Sequence, residues 1–175
     1  MPNVADRAPV LMIGTDPDGK DGIAAAVREL AADGLFERES VRYLISHRAG
    51  ARHGKAIAAL LAFGATLSAC LFERPAVVHV HAASGASVAR KSMLLLLARA
   101  AGCRTIFHLH DAGFDGRPTH WWIRYTLERS SVVIALSHGQ AVAVHGVAPG
   151  ARLVVAGSPL ALSAQLSALY RELRR

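Results

Sequence analysis

The sequence predicts an α/β fold: a single three-layer α/β/α domain on a mainly parallel sheet of about six strands, with a C-terminal helix packing back on it. Segments that read as strands alternate along the 175 residues with segments whose apolar residues recur every three or four positions. The strand segments Ala8–Gly14 and Ser131–Leu136 are almost continuously apolar, as is typical of parallel strands buried on both faces. The alternation indicates helices that cross over the sheet between parallel strands.

The first half of the chain is predicted to supply three strands and two helices. The strands are Ala8–Gly14, Ser40–Ser46 and Val77–His81, and the helices are Ile23–Ala32 and Ala56–Phe72. Gly34 is expected to end the first helix, because glycine adopts a left-handed cap conformation without steric cost. The polar and basic stretch His47–Lys55 is predicted to be a loop.

The second half is predicted to repeat the same alternation and to complete a Rossmann-like sheet. The strands are Thr105–Leu109, Ser131–Leu136 and Arg152–Ala156, and the helices are Ser87–Ala101, Thr119–Glu128, Ser137–His145 and Pro159–Leu173. Gly102 is the expected cap after the helix that ends at Ala101. Gly113–Pro118 is predicted to be a loop, and Trp121, Trp122 and Tyr125 are predicted to form the apolar side of the helix that follows it.

The helix Ala56–Phe72 contains no charged residue. A membrane-spanning helix needs about 20 apolar residues, so this run is too short to span and is predicted to cover the sheet. An alternative is that it also touches a membrane surface, with Arg48, Arg52 and Lys55 facing anionic lipid.

The composition indicates which classes of partner and which cellular compartment to expect. The formal charge is +7 and the pI about 10.2, which favours anionic partners, yet the basic residues are scattered and we expect no nucleic acid. Cys70 and Cys103 lie in apolar contexts outside any C-x-x-C motif, and we expect both to be reduced and buried in a cytoplasmic protein. The N-terminal MPNVADRAP lacks the features of a signal peptide.

Histidines mark the ends of two neighbouring strands. His79 and His81 belong to the first, and His108 and His110 to the second. Because the carboxyl ends of parallel strands share one edge, we expect His81 and His110 to point into a cleft there, with His79 and His108 near the core. A neutral histidine in such a cleft can hydrogen-bond a sugar hydroxyl or a phosphate. With no acidic or cysteine cluster nearby except Asp111, we predict no metal site.

Two further segments are expected at the same edge. The loop Gly19-Lys20-Asp21-Gly22 joins the first strand to the first helix, and its glycines would let a ligand approach the backbone. It matches neither a dinucleotide fingerprint nor a P-loop, and an ordinary turn remains the alternative. Arg90-Lys91 lies one turn into the central helix, where it forms either a site for an anionic group or a solvated patch.

Five segments occur in an order and spacing that resemble a known family. They are the glycine loop after the first strand, the strand VVHVH, the small loop followed by RKS, the segment IFHLHD and the strand VIALS. Together they are similar to the N-terminal domain of GT-B glycosyltransferases of family 4, of the bacterial cell-surface polysaccharide type. The resemblance covers roughly residues 8–156, and it implies a Rossmann-like domain over residues 1–157. Residues 158–175 resemble the helix with which such chains return to that domain.

The resemblance implies a retaining enzyme that transfers sugar from a nucleotide sugar to an acceptor, often lipid-linked, at the inner face of the plasma membrane. It implies no cofactor. His110 corresponds to the histidine that lines the transfer site, and we assign it the catalytic position. The residues expected to bind acceptor or phosphate are Gly19, Lys20, Gly22, His81, Ser84, Arg90, Lys91, Asp111 and Ser137.

Three departures from the family pattern qualify this reading. Asp21 stands where family loops often have glycine, and Asp111 follows the histidine motif where glycine is common. After Ala156 the sequence reads GSPLALSAQLSALYRELRR, without a donor domain or its glutamate signature. We therefore expect the acceptor-binding half of an enzyme, impaired alone and binding nucleotide sugar only with a donor domain. Self-association through the exposed cleft wall is a further expectation.

The alternative function is a non-catalytic module that binds a glycan or a membrane headgroup. A dinucleotide-binding domain is a weaker reading, because Ser46-His47 stands where an acidic residue would end the second strand.

Overall fold

Six parallel strands form one sheet in the order β2-β1-β3-β4-β5-β6. The computed structural model of the protein describes residues 8–47, 52–83, 85–110, 121–156 and 159–175. The strands are β1 Val10–Thr15, β2 Val41–His47, β3 Val77–Ala82, β4 Arg104–Leu109, β5 Val132–Ala135 and β6 Leu153–Val155. The predicted α/β class and parallel six-stranded sheet are confirmed.

Helices connect the strands and cover both faces of the sheet. They are α1 Gly22–Ala32, α2 Leu35–Arg38, α3 Arg52–Ser68, α4 Ala86–Ala100, α5 Trp121–Arg129, α6 His138–Val147 and α7 Pro159–Leu173, with a π-helical segment Ala69–Glu73 continuing α3. The predicted caps are confirmed at Gly34 and Gly102, whose φ angles are +73° and +85°.

Two boundaries differ from the sequence prediction. The expected loop His47–Lys55 is wrong at both ends, because β2 extends to His47 and α3 already begins at Arg52. Residues 48–51 lie outside the described ranges. Lysine and arginine are good helix formers, so polarity alone did not indicate a loop there. The short helix α2 was not predicted. It begins directly after Gly34, where the chain turns with a left-handed residue.

The sheet separates two apolar cores, which makes the domain three-layered. One core packs the π-helical segment, α4 and α5 against strand residues such as Ile13 and Phe107. The other lies under α1 and α7 and contains Leu30, Leu166 and Tyr170. Fully burying one large apolar side chain stabilises a fold by about 1.5–3 kcal/mol, so both faces contribute to folding. The prediction that the C-terminal helix packs back on the sheet is confirmed.

Polar contacts fix α7 to residues from the first half of the chain. The Glu39 carboxylate is buried, and it accepts hydrogen bonds from Arg171 at 3.0 Å and from Arg174 at 2.7 Å. The Tyr170 hydroxyl lies 2.6 Å from Nδ1 of His79 on β3. These contacts hold α7 over the centre of the sheet, above the histidine strands.

Helix α3 and the π-helical segment that continues it carry an apolar stripe that faces solvent. We call it the α3 stripe, and its exposed members are Ile57, Leu60, Leu61, Leu71 and Phe72. No helix in the described ranges is long and apolar enough to cross a membrane. On its other side α3 contacts β2 and α4, as expected for a helix that covers the sheet.

Cys70 and Cys103 are free and buried, as predicted, with their Sγ atoms 3.9 Å apart.

Candidate functional site

The loop after β1 is closed by the start of α1. Asp21 is the N-cap of this helix: its Oδ1 accepts hydrogen bonds from the Ala24 amide at 2.7 Å and from Thr15 Oγ1 at 3.0 Å. A carboxylate at an N-cap satisfies amides that the helix leaves unpaired. Asp21, one of the departures from the family pattern, is thus part of the scaffold, and its position directly before the helix was the signal that could have indicated this.

Side chains outside the motif hold the same loop in place. Arg28 on α1 donates a hydrogen bond to the carbonyl of Gly19 at 3.0 Å. The Tyr43 hydroxyl donates to the carbonyl of Thr15 at 2.6 Å. A Cβ on Gly14 would lie 2.1 Å from that hydroxyl oxygen, so Gly14 is needed for the close approach of Tyr43. Sequence reasoning missed all three, because no local pattern indicates these long-range contacts.

The four strand-end histidines form one cluster on the α1/α7 face of the sheet. His81 pairs in register with His108. His79 lies two residues before His81 on β3, and His110 lies two residues after His108. Neighbouring ring centroids are separated by 4.2 Å for His108 and His110 and by 4.4 Å for His79 and His81. Alternate residues of a strand share a face, which is why each pair points the same way.

Burial keeps these imidazoles neutral. It lowers the pKa of His79 from about 6.5 to about 3 and that of His110 to about 4. The pKa values of His81 and His108 are also lowered, again chiefly by burial. The charge of Lys91 lowers the pKa of His110 further, while that of Asp21 opposes it. At neutral pH the cluster therefore offers hydrogen bonds rather than positive charge.

His81 does not open into the cleft, contrary to the sequence expectation. Its side chain is 0% exposed, whereas His110 is partly exposed. Alternation along the strands places His81 and His110 on the same face of the sheet. The elements that cover this edge of the sheet extend over His81 and bury it. The expectation that His79 and His108 lie in the core is confirmed, since both are fully buried.

A hydrogen bond of 2.8 Å joins His81 Nδ1 to His110 Nε2 and constrains both tautomers. His81 Nε2 is buried and has no partner among the described residues. Because an orphaned buried N–H is rarer than an under-satisfied acceptor, we assign the proton to His81 Nδ1, which donates to His110 Nε2. His110 then carries its own proton on Nδ1. In this tautomer the remaining ring nitrogen of His110 is a hydrogen-bond donor and not a base.

Three members of the cluster could in principle hold a metal ion. Ring nitrogens of His79, His81 and His108 all lie within 4.8 Å of one another. That group contains no carboxylate or thiolate, so a divalent ion would place an uncompensated charge in the core, which is costly. The sequence prediction that there is no metal site stays a prediction.

Two adjacent basic residues of α4, Arg90 and Lys91, have different surroundings. Lys91 is 3% exposed, and its ammonium donates a hydrogen bond to the carbonyl of His81. Burial lowers the pKa of Lys91 from about 10.5 to about 8. Arg90 is exposed and lines the cleft beside His110. Lys91 thus supports the strand that carries His81, while Arg90 is available to a ligand.

The other predicted binding residues fall outside this constellation or outside the described ranges. Ser137 caps α6, accepting a hydrogen bond from the Gln140 amide at 3.2 Å. Lys20 is exposed on the glycine loop. Ser84 and Asp111 lie outside the described residues. The binding roles assigned to them from the sequence remain predictions.

Two adjoining cavities form the cleft at the carboxyl edge of the sheet, and we call them together the edge cleft. One, of about 330 Å³, lies between α1 and α7. The other, of about 220 Å³, lies between the glycine loop and the start of α4. Gly22 and His110 line both. Arg90, Asp21, Thr15 and Ser87 add polar groups to the second, so it suits a hydroxyl-bearing or anionic ligand.

The fold and this cleft define an α/β protein with a partly polar cleft at the carboxyl edge of a parallel sheet, which is where folds of this class bind their ligands. The sequence model of the family described as Glycosyltransferase Family 4 matches residues 20–157. The chain therefore belongs to the family 4 glycosyltransferases. No curated protein matches the chain. Family membership supports a glycosyltransferase-like function with binding of a sugar acceptor in general.

Proposed function

We propose that this chain is the acceptor-binding half of a retaining glycosyltransferase. The enzyme would transfer sugar from a nucleotide sugar to a lipid-linked saccharide in cell-surface polysaccharide synthesis. The observation that carries the proposal is the position of His110, which lines both cavities of the edge cleft and offers a proton donor. In this reading residues 1–157 form the acceptor domain, and 158–175 are the helix that returns to it.

The edge cleft suits an acceptor with hydroxyl and phosphate groups. His110 Nδ1–H can donate a hydrogen bond to a sugar hydroxyl, and the Arg90 guanidinium can pair with a phosphate. Asp21 already caps α1, so the helix start is a weaker site for the donor diphosphate. Because transfer depends on positioning two substrates together, a second, donor-binding unit would hold the nucleotide sugar.

Calorimetry with separate substrates tests the division of labour. A polyprenyl-diphosphate-linked saccharide should bind the chain, and UDP- and GDP-sugars should not bind it measurably. His110→Ala should weaken acceptor binding by about tenfold, which is one lost hydrogen bond to a ligand. His145→Ala, at an exposed position of α6, is the matched control and should leave binding unchanged. Robust sugar transfer by the chain alone would contradict the proposal of an incomplete enzyme.

A second candidate function is a module that binds membrane headgroups at the inner face of the plasma membrane. It is supported by the α3 stripe, where Leu60 is 72% and Phe72 is 83% exposed. Vesicles containing anionic lipid should co-sediment the chain, and the double variant Leu60→Gln, Phe72→Gln should abolish this. Val142→Gln, at an exposed apolar position of α6, is the control. Equal sedimentation of the parent chain, the double variant and the control would contradict a role of the α3 stripe in membrane binding.

Self-association through the edge cleft is the remaining proposal for a partner. Light scattering after size exclusion should then show a dimer that saccharide acceptor dissociates. A monomer at all concentrations would contradict it.

A further inference from the structure

An apolar cavity lies between α3 and α4, on the sheet face opposite the histidine cluster. Its volume is about 250 Å³, and we call it the α3–α4 cavity. Its apolar walls are Ala62 and Phe63 of α3 with Met93 and Leu94 of α4. Phe63 and Met93 are partly exposed, at 37% and 50%, so the cavity opens to the surface.

The charged lining of this cavity has one sign. Arg90 and Lys91 are its two ionisable residues, and no acidic side chain lines it in the described part of the chain. Lys91 is buried, and its ammonium donates a hydrogen bond to the neutral carbonyl of His81 on β3. A buried cation facing apolar walls is stabilised by an anion more than by water. Apolar walls with two cations therefore favour an amphiphile with a negative group.

Arg90 connects this cavity to the edge cleft, because it lines both. A ligand can place an apolar chain between α3 and α4, its anionic group at Arg90 and further polar groups near His110. The volume of about 250 Å³ lies below the roughly 300 Å³ at which sites for whole drug-sized ligands begin. It suits one chain segment rather than the paired chains of a bilayer lipid.

We infer that the α3–α4 cavity binds the first chain segment of a single-chain lipid phosphate, with the phosphate at Arg90. The inference rests on the proposed acceptor function, since it names the lipid end of that acceptor and the surface that holds it. The α3 stripe lies along the same helix, so the rest of a long chain would continue over an apolar surface.

Calorimetry with farnesyl monophosphate below its micellar concentration tests the site directly. Farnesyl monophosphate should bind at least tenfold more tightly than farnesol, which lacks the anion, and than inorganic phosphate, which lacks the chain. Vesicles of a two-chain phosphatidic acid should not compete with it. No binding, equal binding of farnesol or phosphate, or competition by the vesicles would each overturn the inference.

Variants separate the cavity from general surface effects. Arg90→Gln should weaken binding of farnesyl monophosphate at least tenfold, whereas Arg99→Gln, at an exposed position of the same helix, should change it less than twofold. Met93→Glu adds a negative charge at the partly exposed mouth without disturbing the core and should also weaken binding at least tenfold. Unchanged affinity in Met93→Glu would exclude the cavity as the site.

The two proposals fail in different ways. If a water-soluble saccharide phosphate binds in a His110-dependent manner and farnesyl monophosphate does not bind, the acceptor function stands and this inference is overturned. If farnesyl monophosphate binds through Arg90 and Met93 but an attached saccharide adds no affinity, the cavity is supported and the proposed acceptor function fails.

Discussion

Replacing Tyr170 by phenylalanine removes one oxygen atom from the centre of the protein. The side chain is fully buried, and its hydroxyl lies 2.6 Å from Nδ1 of His79, whose Nε2 has no partner among the described residues. Without the hydroxyl, Nδ1 loses its partner as well, and neither nitrogen of this buried imidazole is hydrogen-bonded among the described residues. A buried polar group left unsatisfied costs about 1–3 kcal/mol, so we expect the free energy of unfolding to fall by about 2 kcal/mol.

For a chain of 175 residues this corresponds to a fall in melting temperature of about 4–8 °C. Urea titrations followed by circular dichroism measure the effect, and a double-mutant cycle with His79→Leu isolates the pair. Tyr125→Phe, on the exposed side of α5, is the control and should shift stability by less than about 0.5 kcal/mol. A loss in Tyr170→Phe that is equally large in the His79→Leu background would refute the proposed pairing.

Two further predictions concern packing and pH. Gly14→Ala places a Cβ 2.1 Å from the Tyr43 hydroxyl oxygen and should destabilise the fold by about 1–3 kcal/mol. Gly64→Ala, in an open position of α3, should stabilise it by about 0.5–1 kcal/mol, and urea midpoints in the reverse order would contradict both. Because burial lowers the pKa of His79 from about 6.5 to about 3, the unfolded chain binds a proton that the folded chain does not between those pH values. Stability should therefore fall on acidification by about 1.4 kcal/mol per pH unit for this histidine. Urea titrations from pH 7 to pH 4 give the free energy of unfolding as a function of pH. Its slope against pH should be shallower in His79→Leu than in the parent protein and unchanged in the exposed-site control His145→Gln.

Local patterns in the sequence predicted the layers and the position of the cleft. The apolar runs and the spacing of helices reflect burial on one or two faces, which each segment encodes by itself. The histidines of VVHVH and FHLH were assigned to one face of the sheet for the same reason. These are properties of neighbouring residues, and the structure confirms them.

Other features depend on residues far apart in the chain, and the sequence did not indicate them. The depth of His81 depends on how far α1 and α7 cover the sheet edge, and its hydrogen bond to His110 depends on strand register. Helix α5 buries Ile123 and Leu127. Of the predicted aromatic side only Trp122 packs against the core, while Trp121 is 75% and Tyr125 44% exposed. The aromatic residues led to the wrong prediction because α5 carries apolar residues on two sides. Which side is buried depends on how the helix packs on the sheet, and the local sequence does not encode this.

The returning helix α7 has a consequence for how the protein is made. Tyr170 and Arg174 contact His79 and Glu39, residues that are synthesised much earlier. During translation the histidine face of β3 and the Glu39 carboxylate would remain uncovered until α7 leaves the ribosome. The nascent chain would therefore expose an apolar and unsatisfied polar surface for most of its synthesis, a state that invites chaperone binding. Docking of α7 would then cover these residues and satisfy their polar groups.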